Sequence, residues 1–361
     1  MRPVYYLSIF IPIAVGLKVA EASAPLVFFT SAIGVIPTAA LMSDATEQLA
    51  ARAGPGIGGL LNVTFGNAPE LIIAFFALEK GLQEVVKASL VGSVIGNSLL
   101  VLGASMLAGG WNRERQTFNR TAAHTQAGML LLAAAALVLP AVFQLIHGGS
   151  LPNVSELSHN YGSDVEKLSL AVAIILIFSY VAGLWFSLRT HRDLFNVETE
   201  DDEEVDSNTW TIRKSVILLA IAGVLVGIMS EILVGSIEEA SHKVGLSQFF
   251  VGVFVVAIVG NAAEHYVAVV VAMKNKMDLS VNIAIGSSAQ IALFVAPVLV
   301  ILSFFVGPHP MALVFNGYEV AGLIAAVLVA NFLASEGEST WFEGVQLLAL
   351  YLVLGLVFLL A

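Results

Sequence analysis

Two five-residue stretches put carboxylates where a lipid bilayer would penalise them. Gly66-Asn67-Ala68-Pro69-Glu70 lies in the apolar segment 57–78, and Gly260-Asn261-Ala262-Ala263-Glu264 lies in the apolar segment 249–273. An acid at the centre of a spanning helix costs roughly 2.5–3.5 kcal/mol on insertion scales. Gly beside Asn makes a poor helix interior, and the first copy adds Pro69. A cost borne twice in one pattern points to two acids that act together. Gly66 and Gly260 let their helices break or bend, which frees backbone carbonyls as cation ligands about one turn from Glu70 and Glu264. The Asn67 and Asn261 amides are further oxygen donors, with helix–helix hydrogen bonding as their alternative role.

The resulting donor set is oxygen only, and the chain has no cysteine. Hard oxygen ligands carrying two negative charges suit Ca²⁺ better than Zn²⁺ or copper, and Mn²⁺ also fits. Two protons neutralise the pair, and so does one divalent ion. The bare doubly ionised pair is the costly state in a low-dielectric interior. That alternation is the physical basis of an obligatory exchange between a divalent cation and protons.

The elements that hold these residues are membrane helices. Of 361 residues, 58% are hydrophobic and 12% charged, against roughly 25% charged in soluble domains. Mean hydropathy is +0.88. The net charge of −11 does not suit nucleic-acid binding. Hydropathy predicts eleven spans, at 4–20, 25–50, 57–78, 88–110, 122–146, 168–188, 212–237, 249–273, 279–306, 313–334 and 342–361. Ala22-Ser23-Ala24 after the first apolar run resembles a signal-peptide cleavage site, but Pro25 directly behind it favours a retained first helix.

The motif glycines are 194 residues apart (260 minus 66), and more than the motifs repeats. The segment from Gly92 to Ser98 aligns with that from Asn282 to Ser288, and Phe118-Asn119 answers Phe315-Asn316. The predicted architecture is all-α and polytopic, with a leading helix (1–20) and two five-helix repeats (21–192 and 211–361) around a linker (193–210). Five is odd, so the repeats are inverted, as in secondary transporters whose site lies between the halves at mid-membrane. By repeat logic Ser93, Asn97 and Ser98 face the same region as Ser287, Ser288 and Gln290, with interhelical packing as the alternative.

Eight acids and no base lie between Asp193 and Asp206, including Glu200, Asp201, Asp202, Glu203 and Glu204. This stretch is either a solvated connector or a cation-attracting segment. Placing the N-terminus in the cytoplasm puts 11 of the 16 bases inside and 5 outside. That excess also puts the acidic linker inside and the C-terminus on the opposite side. His124 and His265 are proton-relay candidates, or histidines bonded within the bundle.

The two motifs, with His265 after the second, resemble those of the calcium/proton exchangers, the CAX branch of the cation/calcium exchanger superfamily. Gly58-Gly59-Leu60-Leu61-Asn62, Lys274-Asn275-Lys276 and the junction from Ala330 to Ser339 are similar as well. Pro69 departs from the Thr or Val of many relatives. The resemblance implies Ca²⁺ export or sequestration driven by protons, with Glu70 and Glu264 binding ion and protons in turn. It implies sliding second and seventh helices, on or beside which Asp44, Glu47, Glu231, Glu238 and Glu239 guide ions. It also implies a regulatory role for the acidic linker. The partners expected are Ca²⁺, protons and the lipid bilayer, with no organic cofactor and no enzymatic activity. One chain suffices for the internal repeat, which leaves the oligomeric state open. A Mn²⁺ or Na⁺-coupled exchanger and a cation channel are the competing readings. An intramembrane hydrolase finds no Ser–His pair, and Asp44 is the only aspartate in an apolar span.

Overall fold

The computed structural model describes residues 3–53, 55–154, 159–191 and 210–361. The acidic run that includes Glu200, Asp201, Asp202, Glu203 and Glu204 lies outside the described residues. The chain is helical almost throughout. In order it forms α1 (Pro3–Val19), α2 (Ala24–Ala53), α3 (Pro55–Gly66), α4 (Ala68–Glu79), α5 (Gln83–Gly110) and α6 (Arg120–Ile146). It continues through α7 (Ser163–Thr190), α8 (Ile212–Val244), α9 (Gln248–Met273), α10 (Met277–Leu302), α11 (Gly317–Ala334) and α12 (Trp341–Leu360). Among the described residues, nine of these helices are long and apolar enough to cross a membrane; α1 is shorter, and α3 and α4 are the two pieces of one interrupted segment.

Burial separates the centre from the rim. In the most apolar stretch of each helix, 83% of α5 and 72% of α10 is buried, against 22% for both α7 and α12. The long antiparallel pair α2 and α8 packs together along one flank, with α1 against α2. Contacts recur in crossed pairs: α4 packs on α8 while α9 packs on α2, and α5 packs on α12 while α10 packs on α7.

Two close approaches fix the central helices. A Cβ at Gly92 on α5 would stand 2.1 Å from the Val253 carbonyl oxygen of α9, and a Cβ at Gly252 would stand 2.9 Å from Ala88 Cβ. Backbone meets backbone here, as small residues permit between membrane helices. Each of α5, α9 and α10 also contains a π-helical turn, at Gly96–Val101, Val251–Val256 and Ile291–Val295 respectively. Such turns are frequent at functional sites.

Helix ends follow local chemistry. The expected span 313–334 begins only at Gly317, because the Asn316 side chain caps α11 and Glu319 returns the bond to the Asn316 N–H. That capping box sets the helix start, and Met311 to Phe315 ahead of it are buried outside any helix. At the other end of the bundle Gln116–Thr117 (β1) pairs antiparallel with Glu338–Ser339 (β2), joining the α5–α6 and α11–α12 loops.

Of the break or bend expected at each motif glycine, Gly66 shows an interruption, and the helix through Gly260 is not interrupted. α3 stops at Gly66 and α4 restarts at Ala68, whereas Gly260 lies in uninterrupted helix from Ala257 to Met273. The difference is Pro69 against Ala263. Proline has no N–H for the Phe65 carbonyl and its ring collides with that turn. Ala263 continues the ladder, and its helix distorts upstream instead, in the π turn Val251–Val256.

Candidate ion-binding site

Glu70 occupies the first turn of α4, whose N-terminus the break exposes. Free N–H groups and the helix dipole favour a carboxylate there. Glu264 sits in mid-helix on α9 and has no such end; its Oε2 accepts a 2.6 Å hydrogen bond from Ser287 Oγ of α10 instead. Each acid lies over the glycine of the other motif. A Cβ on Gly66 would be 3.7 Å from Glu264 Oε1, and one on Gly260 would be 3.7 Å from Glu70 Oε1. The glycines therefore leave room for the opposite carboxylates.

The asparagines tie the motif helices to α5 and α10. Asn67, 1% exposed, donates from Nδ2 to Gln290 Oε1 at 2.5 Å. Asn261 donates from Nδ2 to Ser93 Oγ at 2.9 Å and to the Ala257 carbonyl at 2.8 Å. Asn97 donates to Asn261 Oδ1 at 3.3 Å and accepts from His265 Nε2 at 3.0 Å. Ser98 and Ser288, equivalent residues in the aligned halves, meet at 3.2 Å. So Ser93, Asn97, Ser98, Ser287, Ser288 and Gln290 all belong to one buried polar centre. The bonds of Asn261 to Ser93 and Asn97, and that of the Asn67 amide nitrogen to Gln290, are interhelical. Asn67 Oδ1 and Glu70 Oε2 remain buried without a hydrogen-bond partner, and buried acceptors of that kind need a donor or a cation.

The five outlying acids are arranged differently. Asp44, on α2, accepts from the Tyr5 hydroxyl of α1 at 2.6 Å. Glu47 on α2 and Glu231, Glu238 and Glu239 on α8 are exposed. Glu239 pairs with Lys243 at 2.5 Å. They line the flanking pair α2 and α8, outside the buried polar centre. His124 is exposed on α6.

One buried charge cluster went unseen in the sequence. Lys87 is 1% exposed; its Nζ reaches Glu84 Oε1 at 2.7 Å and the Val314 carbonyl at 2.6 Å. Glu319, also 1% exposed, lies within electrostatic reach. Lys87 stands one residue before the expected span 88–110. Its signal was local: an acid and a base three residues apart at the start of an apolar helix, positions that share a face.

The family described as sodium/calcium exchanger protein matches residues 23–189 and 214–360. A Ca²⁺/H⁺ antiporter of Aphanothece halophytica is 44% identical over 348 residues, covering 92% of this chain and 89% of the relative. The Ca²⁺/H⁺ antiporter ChaA of Bacillus subtilis is 45% identical over 338 residues, covering 92% of both. The solved structure of native YfkE superposes with a TM-score of 0.83 at 39% identity, covering 99% of this chain and 100% of that one. The chain belongs to the sodium/calcium exchanger protein family, in its calcium/proton exchanger branch. That family consists of transporters embedded in the membrane by several helices, which answers the expectation of a polytopic transporter rather than an enzyme.

Proposed function

We propose that this chain moves Ca²⁺ out of the cytoplasm in exchange for protons, by alternating access to one site that Glu70 and Glu264 share. The observation that carries this reading is reciprocal: each glutamate lies against the glycine of the other motif. Two carboxylates so held accept one divalent ion or two protons without leaving a net charge in the low-dielectric interior. A bare doubly charged site is too costly to occlude, so neither ion crosses without the other. The relatives named as Ca²⁺/H⁺ antiporters support the choice of ions.

The same reading takes the chain as eleven crossings. α1 leads, α3 with α4 counts as one interrupted crossing, and two inverted five-helix halves (21–192 and 211–361) follow. The crossed contacts α4–α8 with α9–α2, and α5–α12 with α10–α7, support such a pseudo-two-fold relation. So does the meeting of Ser98 with Ser288. Glu70, Glu264 and carbonyls released beside Gly66 would hold the cation, with Asn67 as a further oxygen donor. Asn261 acts instead as a strut, because its amide is committed to Asn97, Ser93 and Ala257. Asp44, Glu47, Glu231, Glu238 and Glu239 would draw cations along α2 and α8. The N-terminus and the acidic linker (193–210) are taken as cytoplasmic, the C-terminus as lying on the other side, and the linker as a regulatory segment.

The test is ⁴⁵Ca²⁺ uptake into proteoliposomes under a pH gradient. Wild-type chain is expected to accumulate Ca²⁺, and Glu70→Gln or Glu264→Gln to take up only background. Uptake by either variant at near wild-type rates would contradict the two-glutamate site. Replacing the pH gradient with a Na⁺ gradient, and adding competing Mn²⁺, separates this reading from Na⁺-coupled or Mn²⁺ exchange.

A further inference from the structure

The two halves treat their carboxylates unequally. Ser287 satisfies Glu264 Oε2, but Glu70 Oε2 is buried without a partner. Glu70 also lines a cavity of about 10 Å³, in which Ser89 and Ser93 are the other polar residues among a mainly apolar lining that includes Val256 and Gly260. About 10–15 Å³ is the room one water molecule requires, and a buried water makes about three hydrogen bonds.

The cavity offers those three. Glu70 Oε2 accepts. Ser89 Oγ spends its hydrogen on the Val86 carbonyl at 2.9 Å, so towards the cavity it can only accept. Ser93 Oγ already accepts from Asn261 Nδ2 at 2.9 Å, so its own hydroxyl hydrogen is available to donate. A water here donates to Glu70 and Ser89 and accepts from Ser93. One lone pair is left over, in a space bounded by Glu70 and by Gly260, the glycine over which Glu70 lies.

Calcium takes six to eight oxygen ligands at about 2.3–2.6 Å, water among them. The side chains assigned to the ion offer five oxygens: two from Glu70, two from Glu264 and Asn67 Oδ1. The remainder falls to main-chain carbonyls and water.

We propose that Ca²⁺ is carried with one retained water, seated between Ser89 and Ser93 beside Glu70, and that Ser89 is a positioning residue for it. This rests on the reading of Glu70 and Glu264 as the Ca²⁺ site. Ser89 touches neither the ion nor the partner glutamate. It acts through the water, as outer-shell groups do when they orient a metal's ligands. It lies one turn from Ser93 towards the α4–α5 loop.

Ser89→Val removes the acceptor and fills the cavity with methyl groups. Loss of an outer-shell partner typically weakens metal binding by about 10–100-fold. The KM for Ca²⁺ in pH-driven uptake is expected to rise about tenfold by that rule, with the maximal rate within about twofold of wild type. Ser89→Ala loses the same hydrogen bond but keeps the room for the water, so its KM is expected to rise by less than that of Ser89→Val. A merely structural role would move both variants together, or move the maximal rate. Wild-type KM in Ser89→Val overturns the proposal. If the valine variant does not fold, a Ca²⁺-loaded crystal structure of the wild-type chain decides. A water bonded to Ser89 and within about 2.6 Å of the ion is expected; a shell of protein oxygens alone overturns the proposal. Absence of Ca²⁺ uptake by wild-type chain would instead remove the underlying functional reading.

Discussion

The segment around Gly66 and the segment around Gly260 share the pattern Gly-Asn-Ala-x-Glu, yet only the first interrupts its helix. A single position accounts for it. Pro69 ends one hydrogen-bond ladder and starts another, while Ala263 lets its ladder run through. The two acids consequently differ in how they are held. Glu70 stands in the first turn of a short helix, beside a small cavity. Glu264 stands on a continuous helix and takes a serine hydroxyl. Two carboxylates alike in sequence are thus supported by different means, one by a helix end and one by a side chain. A repeat predicts which residues meet, and leaves open how each is held.

The largest expected effect tests whether that difference matters for transport. If the acids form one site despite their unequal support, Glu70→Gln and Glu264→Gln both reduce pH-driven ⁴⁵Ca²⁺ uptake to background. Substantial uptake by one of them would mean that the halves are unequal in chemistry as well as in structure. A second contrast lies at the starts of α5 and α10. α5 opens with buried Glu84 and Lys87, while Asp278 near the start of α10 accepts from the main-chain N–H of Asn119. Lys87→Met leaves the carboxylates of Glu84 and Glu319 without their cation. Removing one partner of a buried ion pair costs about 3–5 kcal/mol. Thermal unfolding in detergent should show it, and an unchanged midpoint would mean that those charges are solvated after all.

Ala263→Pro gives the second motif the proline of the first. A proline inside a helix costs about 3 kcal/mol or more, so this variant should unfold at lower temperature. Wild-type stability would show that residue 69 is not what separates the two segments. Smaller effects are expected at the serines, beginning with Ser287→Ala, which leaves Glu264 Oε2 short of its donor. An unsatisfied buried acceptor costs about 1–3 kcal/mol. The same change at another serine of the centre, Ser93→Ala, leaves no carboxylate without a direct bond, since Ser93 accepts from Asn261. A larger loss of unfolding temperature for Ser287→Ala than for Ser93→Ala is the expected order, and the reverse order would erase the asymmetry.

Much of this was legible in the chain. The apolar runs gave the helices to within a few residues for α5, α6, α9 and α12. The motif pair named Glu70 and Glu264, which the structure brings over each other's glycines. What escaped depends on partners distant in sequence. Asn67 bonds to Gln290 across 223 positions, and no local pattern encodes that choice. Hydropathy weighs each residue alone, so it starts the span at 88 and leaves out Lys87, although Glu84 and a carbonyl satisfy that cation in the interior. Whether the helix breaks at Gly260 is left open by the sequence for a related reason. Glycine permits a break, and proline enforces one.

The contact between Gly92 and Val253 has a mechanical consequence. With no side chain between them, the two backbones interlock like a key in its slot. Sliding α5 along α9 would drive carbonyls into main-chain atoms within a fraction of a helical rise. The pair therefore has no soft coordinate of its own and behaves as one rigid member. Any rearrangement that opens the centre has to be taken up at surfaces with side chains to repack, of which the long seam between α2 and α8 is the most extensive.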